Sequence, residues 1–208
     1  MARKTKPARS SRSSGEVGEE RRAQLLAAAF EIVAQKGLEG LRTRDVVDRA
    51  GVNVSTLHYY FGTKDALLVA LVEYVRDKFA TAGRSFDDTR PWSESSLSLR
   101  AHFESSMHSF RSTPGLSTVL QELVQRGRRD PVTRAAFEGI HRDWAAVVER
   151  VLRAGIERGE LRADLDPVAG SRIVTSFVMG AAAQLEVAPE AFDFDALARE
   201  LERWVARM

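Results

Sequence analysis

The chain has 208 residues, 44% of them apolar, and no cysteine. At about 100–200 residues per domain this is one large or two small domains with apolar content enough for a true core, and the absence of thiols excludes disulfides, zinc–thiolate sites and a cysteine nucleophile. The formal charge is +2, but residues 1–15 carry Arg3, Lys4, Lys6, Arg9 and Arg12 with no acid, so the rest of the chain sums to −3.

That first segment, rich in Ser, Arg and Lys, cannot bury enough surface to offset the entropy of ordering, and it is predicted to be a disordered basic arm over 1–15. It reads either as a solubilising tail or as an arm for a polyanion, with Arg9 and Arg12 nearest the folded part. No apolar run follows the charges, so it is not a signal peptide, and no uninterrupted apolar stretch of about 18 residues occurs, so no spanning helix and no membrane partner are expected. Cysteine usage fits a cytoplasmic protein.

The first helix is predicted over 19–35, with Leu25, Leu26, Ala29, Phe30 and Val33 on one stripe and Gly37 closing it. A short helix follows from Thr43, its N-cap, to Arg49. Gly51 permits a tight turn, and Asn53 caps a third helix that turns Leu57 and Phe61 inward. The next begins at Thr63 or Lys64 and carries Leu67, Leu68, Leu71, Val72 and Val75. Short helices joined by a glycine turn are the ingredients of a helix-turn-helix, placed at about 42–61. Beyond it, prolines 91, 114, 131, 167 and 189 each precede a segment of helical spacing, where a missing N–H costs little, and Asp130 and Asp166 are N-caps, with Ser112 or Thr113 serving Pro114. Helices are predicted near 64–82, 92–111, 114–127, 131–158, 167–187 and 190–207. No strand-length alternation is found, so the fold class is all-α: a helix-turn-helix domain over 16–78 and a larger helical domain over 79–208.

The residues from Thr43 to Leu67 carry a resemblance. Ala50-Gly51-Val52, then Thr56-Leu57, Tyr60-Phe61, Lys64 and Leu67 follow the pattern that marks the turn, recognition helix and start of helix four in TetR-type transcriptional regulators. The likeness covers roughly 16–80. It implies that Thr43, Thr56, Tyr59, Tyr60 and Lys64 hold the DNA backbone and offers Arg44 as the candidate for a base edge. Ser55, His58 and Tyr59 lie on outward or lateral faces, where a ring with a polar tip suits a groove wall; Tyr60 has the alternative of packing under its helix. Two positions depart from the pattern: His58 stands where Tyr is frequent, and Val54 where a long polar residue is frequent. Val54 is therefore limited to an apolar contact such as a thymine methyl.

In the helical domain, 167–187 interleaves Ile173, Phe177 and Leu185 with small residues, and the last helix places Leu197, Leu201 and Trp204 at steps of three and four. The resemblance implies that these two helices pair with their copies in a homodimer, which would read an inverted-repeat operator on double-stranded DNA. Between reader and seam, His102, Phe103, Met107, His108, Phe110, Phe137, His141, Trp144 and Phe177 are candidates for a largely apolar effector pocket, or for ordinary core. A metal site on His102, His108 and His141 lacks the spacing metal ligation needs, and no phosphate loop, nucleophile elbow or diagnostic carboxylate pair occurs; no metal, cofactor or catalytic residue is expected. The expected function is a dimeric repressor released from its operator by a small molecule, with an activator of the same family, or a helical small-molecule-binding protein that does not touch DNA, as alternatives.

Overall fold

The structure, a computed structural model, describes residues 14–87 and 98–206. Among these residues it contains nine α-helices: α1 (Ser14–Lys36), α2 (Thr43–Ala50), α3 (Val54–Phe61), α4 (Lys64–Asp87), α5 (Leu99–Ser112), α6 (Leu116–Gly127), α7 (Pro131–Glu157), α8 (Pro167–Val187) and α9 (Phe194–Val205). Arg9, Arg12 and most of the expected basic arm lie outside the described residues, as does Trp92.

Most starts follow their caps. The carboxylate of Asp130 accepts from the Thr133 amide at 2.9 Å, and that of Asp166 from the Val168 amide at 2.9 Å, with Pro131 and Pro167 seated in the first turn where no N–H is needed. Five starts differ from expectation. α5 begins at Leu99, not near 92, where the Ser98 hydroxyl accepts from the Ala101 amide at 3.0 Å. α1 begins at Ser14, ahead of residue 19, with Glu16 in its first turn complementing the helix dipole. Arg42, not Thr43, takes the cap position of α2 and makes no side-chain cap bond, leaving Thr43 as the first helical residue. α6 begins after Gly115, whose φ of +80° is left-handed, so Pro114 lies before the turn instead of inside the helix. Pro189 opens a three-residue 3-10 turn, and α9 starts afresh where Asp193 accepts from the Ala196 amide at 2.9 Å.

Two bodies of packing share one continuous core. In the first, α1 crosses α2 and α4, burying Leu25, Ala29, Val33, Val46, Leu57 and Leu71 almost completely. Each of the leucines and valines contributes about 1.5–3 kcal/mol through removal from water, and Ala29 less. In the second, α7 lies along α8 and against α4, α5 and α6, burying Phe103, Leu116, Leu123, Val148, Leu152 and Val178. α8 is long and apolar enough, by length and composition, to reach the threshold for a membrane-crossing helix. Its Val174, Thr175, Val178 and Ala181 are buried in the bundle core, while Val168, Ile173 and Val187 remain exposed.

The bodies meet where α6 passes the end of α1. Glu122 accepts the Leu38 N–H at 2.8 Å in a half-buried setting, and Arg126 faces Asp65 of α4 at 3.6 Å. A Cβ at Gly115 would stand 2.5 Å from the Ala34 Cβ, so glycine is what lets α6 approach α1 this closely.

Candidate nucleic-acid interface and cavity

Between α2 and α3 the chain turns on Gly51, at φ +65° and ψ 36°, where the Val52 N–H reaches back to the Val47 carbonyl at 3.0 Å. Asn53 then fixes α3: its Oδ1 accepts from the Thr56 amide and hydroxyl, both at 2.8 Å, and from the Ser55 hydroxyl at 2.7 Å. Ser55 and Thr56 thus commit their protons to the cap and turn toward any groove mainly as acceptors. Leu57 and Phe61 anchor the helix from beneath, both buried. Tyr59 is 83% exposed and Val54 42% exposed. Arg44 and Lys64 are exposed at the first turns of α2 and α4. Ion pairs from Arg49 to Glu31 at 3.3 Å and from Lys36 to Asp45 at 3.5 Å brace α2 on α1.

Two expected contact residues sit differently from the rest. Tyr60 is half-buried, edge-on to Tyr59 at 5.1 Å, with its hydroxyl beside Gly18 of α1. The exposed ring of His58 lies along its own helix, with Nδ1 3.2 Å from the Gly62 carbonyl. Together α2, α3 and the head of α4 leave Arg44, Val54, Tyr59 and Lys64 exposed on two short helices and the start of a third.

The expected pocket residues divide among three places. Phe137, His141 and Trp144 of α7 line a cavity of about 240 Å³, joined by Val75 and Phe79 of α4, Leu120 of α6 and Ile140 and Met179. Phe103, Met107 and His108 border a different, open groove closed by Phe192 and Phe194, where Arg111 stacks over the Phe194 ring at 3.7 Å. Phe110 is buried and meets Phe79 edge-on at 4.9 Å, while Phe177 packs against Phe103 at 5.6 Å. These last two fill core instead of lining the cavity. Helical spacing on α7 pointed to the cavity wall, but Phe79, Leu120 and Met179 come from three other helices and leave no local signal.

His102 stands behind the cavity wall. The Trp144 indole N–H donates to its Nε2 at 3.0 Å. Because indole only donates, that nitrogen must be unprotonated, and burial pushes the imidazole down to about 4. Burial, and next the charge of Arg172, also lower the pKa of His141. Among the described residues no group of three or more His, Asp or Glu side chains could hold a metal ion.

The expected seam residues also divide. Ile173 and Trp204 are exposed, at 57% and 62%, and Leu185 is partly exposed. Phe177 and Leu197 are half-buried against the subunit's own core, and Leu201 is 3% exposed. Leu201 is therefore corrected from seam to core: α9 turns it inward, three residues from the outward Trp204, and it is not available to a partner.

Comparison with known proteins agrees with this architecture across both bodies. Residues 25–71 match the family described as bacterial regulatory proteins, tetR family, and residues 97–201 match the tetracyclin repressor-like C-terminal domain. The chain belongs to the TetR family. Among its relatives are the HTH-type transcriptional regulator EthR of Mycolicibacterium smegmatis, 25% identical over 76% of this chain and 71% of that one, and the HTH-type transcriptional repressor KstR2 of Mycobacterium tuberculosis, 27% identical over 74% and 76%. The fold matches that of the transcriptional regulator FadR of Bacillus subtilis in complex with stearoyl-CoA, with a TM-score of 0.68 at 20% identity over 87% of this chain and 95% of that one. As a TetR-family member the protein is a DNA-binding transcriptional regulator with an N-terminal helix-turn-helix and a helical C-terminal domain. The family is a regulatory one.

Proposed function

We propose that this protein is a homodimeric repressor that leaves an inverted-repeat operator when a small, largely apolar molecule enters the cavity between α4, α6, α7 and α8. One observation carries the reading: the two helices that wall the cavity on the DNA side are the two that hold the reader. α4 contributes Val75 and Phe79 to the cavity and begins at Lys64, and α6 contributes Leu120 while Glu122, two residues on, grips the Leu38 amide. A ligand that favours one setting of α4 and α6 thereby favours one setting of the recognition helices, and DNA and ligand must weaken each other by the same factor, typically about 1–3 kcal/mol.

In this reading Thr43, Ser55, Thr56, Tyr59 and Lys64 position the backbone, Arg44 addresses a base edge and Val54 a thymine methyl. Tyr60 supports Tyr59 from behind. His58 serves as a lateral contact, and Arg9 and Arg12 add positive charge ahead of α1 in the sequence. Residues 16–78 form the reading unit and 79–208 the effector and pairing unit, at work in the cytoplasm where the DNA is. Support for pairing comes from Val168, Ile173 and Val187 of α8 and Trp204 of α9, large apolar side chains left exposed by the subunit's own core.

The test is selection of genomic fragments by the full chain, followed by operator binding with and without Glu122→Ala. The expected result is an inverted repeat bound by two subunits, with ligand-induced release blunted in Glu122→Ala although ligand still binds. Recovery of a non-repeated site bound by one subunit, or ligand affinity identical with and without saturating operator, would overturn the reading.

A further inference from the structure

We infer that the cavity takes a compact, uncharged, largely apolar molecule of one or two rings, packed against its aromatic wall, in preference to long acyl chains and cations. This rests on the effector role proposed for the cavity and assigns the chemistry of its occupant.

Size sets the first limit. An apolar cavity of about 150 Å³ takes up benzene, so at the same density a cavity of about 240 Å³ holds roughly ten carbon atoms, two fused rings and no more. A sixteen-carbon chain exceeds that volume, so much of its length would lie outside the cavity.

The walls set the second. Phe79, Phe137 and Trp144 supply flat faces, with Phe79 and Trp144 at 5.9 Å between ring centroids, and Ile140 and Met179 fill the remaining sides. Rings prefer offset and edge-to-face partners at such spacings, and methionine sulfur adds a polarisable contact. Trp144 is held in place from behind by its bond to His102, so the wall is preorganised and little ordering cost falls on the ligand.

Charge sets the third. Arg76 and Asp143 border the cavity but are exposed, so they stand at its mouth with opposite signs and draw neither an anion nor a cation inward. Within, the surface is almost wholly apolar, and the His141 ring joins the aromatic wall beside Phe137 at 5.6 Å and Trp144 at 5.9 Å. Burial, and next Arg172, lower the pKa of that ring and favour its neutral form, so it places no charge in the wall. An ammonium inside would be buried without a carboxylate partner.

The experiment titrates the full chain by calorimetry with naphthalene and 1-naphthol, with hexadecanoate and choline as comparators. Both ring probes should bind once per subunit, naphthalene at least as tightly as 1-naphthol, whose hydroxyl meets an almost wholly apolar wall, and the comparators should not compete. Ile140→Trp fills the space and should weaken naphthalene roughly tenfold or more, whereas His141→Phe, which keeps an aromatic ring in the wall, should spare it. If Ile140→Trp fails to fold, the unmodified chain still decides: the Trp144 indole resonance, assigned through Trp144→Phe, should move on adding naphthalene while that of Trp204 stays. Absence of ring binding, displacement of naphthalene by hexadecanoate, or an unmoved Trp144 resonance overturns the inference. Ring binding that leaves operator affinity unchanged supports it and overturns the release reading instead.

Discussion

The DNA-reading body and the cavity-bearing body are built from the same helices-on-a-core logic, yet they place their chemistry in opposite ways. From Thr43 to Lys64 the outward residues sit within one short stretch, and each is aimed by a local device: the Gly51 turn, the Asn53 cap and the Leu57 and Phe61 anchors. The cavity instead takes its walls from α4, α6, α7 and α8, separated by more than a hundred residues from Val75 to Met179. A surface that meets a rigid, repetitive partner can be written locally; an enclosed space for a small molecule must be assembled from the whole bundle. The same contrast says where change is tolerated. Retuning the reader needs one exposed substitution, whereas retuning the cavity disturbs packing in several helices at once.

The strongest way to break this contrast is to ask whether the bodies are independent at all. Leu57 is 2% exposed and belongs to the core that runs on through α4 and α1 into α6. Leu57→Ala should cost about 2–5 kcal/mol, lower the melting temperature and abolish DNA binding. Circular dichroism and Trp144 fluorescence should follow one coincident transition, because the core is shared. Two separated transitions would show that the reader unfolds alone and that the junction at Glu122 and Gly115 carries little cooperativity.

A somewhat smaller effect isolates the body. His102 is neutral in the fold with a pKa of about 4, against about 6.5 when unfolded, so between these values the unfolded chain binds more protons. The contribution is fully present above about pH 6.5 and is lost as pH falls toward 4, amounting to about 3 kcal/mol at the low end. Urea unfolding at a series of pH values measures it, and Trp144 fluorescence should report the broken indole bond in the same window. His102→Gln, which can keep a carbonyl acceptor without a titrating ring, should flatten the slope between pH 6.5 and 5. An unchanged slope would mean that carboxylates elsewhere govern the acid response.

The same contrast explains what the sequence made legible. Helix order, the turn and the caps at Asn53, Asp130 and Asp166 follow from residue type at fixed local spacing, so they could be read directly. Thr43 could not be told from Arg42 as the cap, since boundaries shift by a residue with backbone angles that composition does not encode. In α5, Phe103, Met107 and Phe110 have the periodicity of a pocket wall, but the same period serves core, and two of their neighbours across the space were needed to decide. In α9, a step of three residues separates buried Leu201 from exposed Trp204: periodicity defines a stripe, and only tertiary packing says which edge of it faces inward.

Within the reader, two exposed cations should separate by role. Arg44→Ala should cost about 1–3 kcal/mol on the preferred operator and relax preference at one base position. Lys64→Ala should weaken all duplexes alike and reduce the log–log salt slope by about 0.9 for each subunit. Fluorescence anisotropy with single-base operator variants at several salt concentrations distinguishes them. Equal losses on every operator for Arg44→Ala would move it to the backbone group.

The smallest effect lies at the junction and asks which of its contacts matters. Asp65 and Arg126 meet at 3.6 Å but their side chains are 65% and 44% exposed, so solvent screening leaves the pair about 0–1 kcal/mol. The Glu122 carboxylate instead satisfies a backbone amide in a half-buried setting, where removing it leaves a donor unpaired at about 1–3 kcal/mol. Arg126→Ala should therefore shift stability by a few tenths of a kcal/mol at most and leave ligand-induced release intact, while Glu122→Ala shifts both. A double-mutant cycle between Asp65 and Arg126 measures the pair itself. A coupling energy above about 1 kcal/mol, or loss of release in Arg126→Ala, would relocate the mechanical link from the grip of α6 on the end of α1 to its contact with the head of α4.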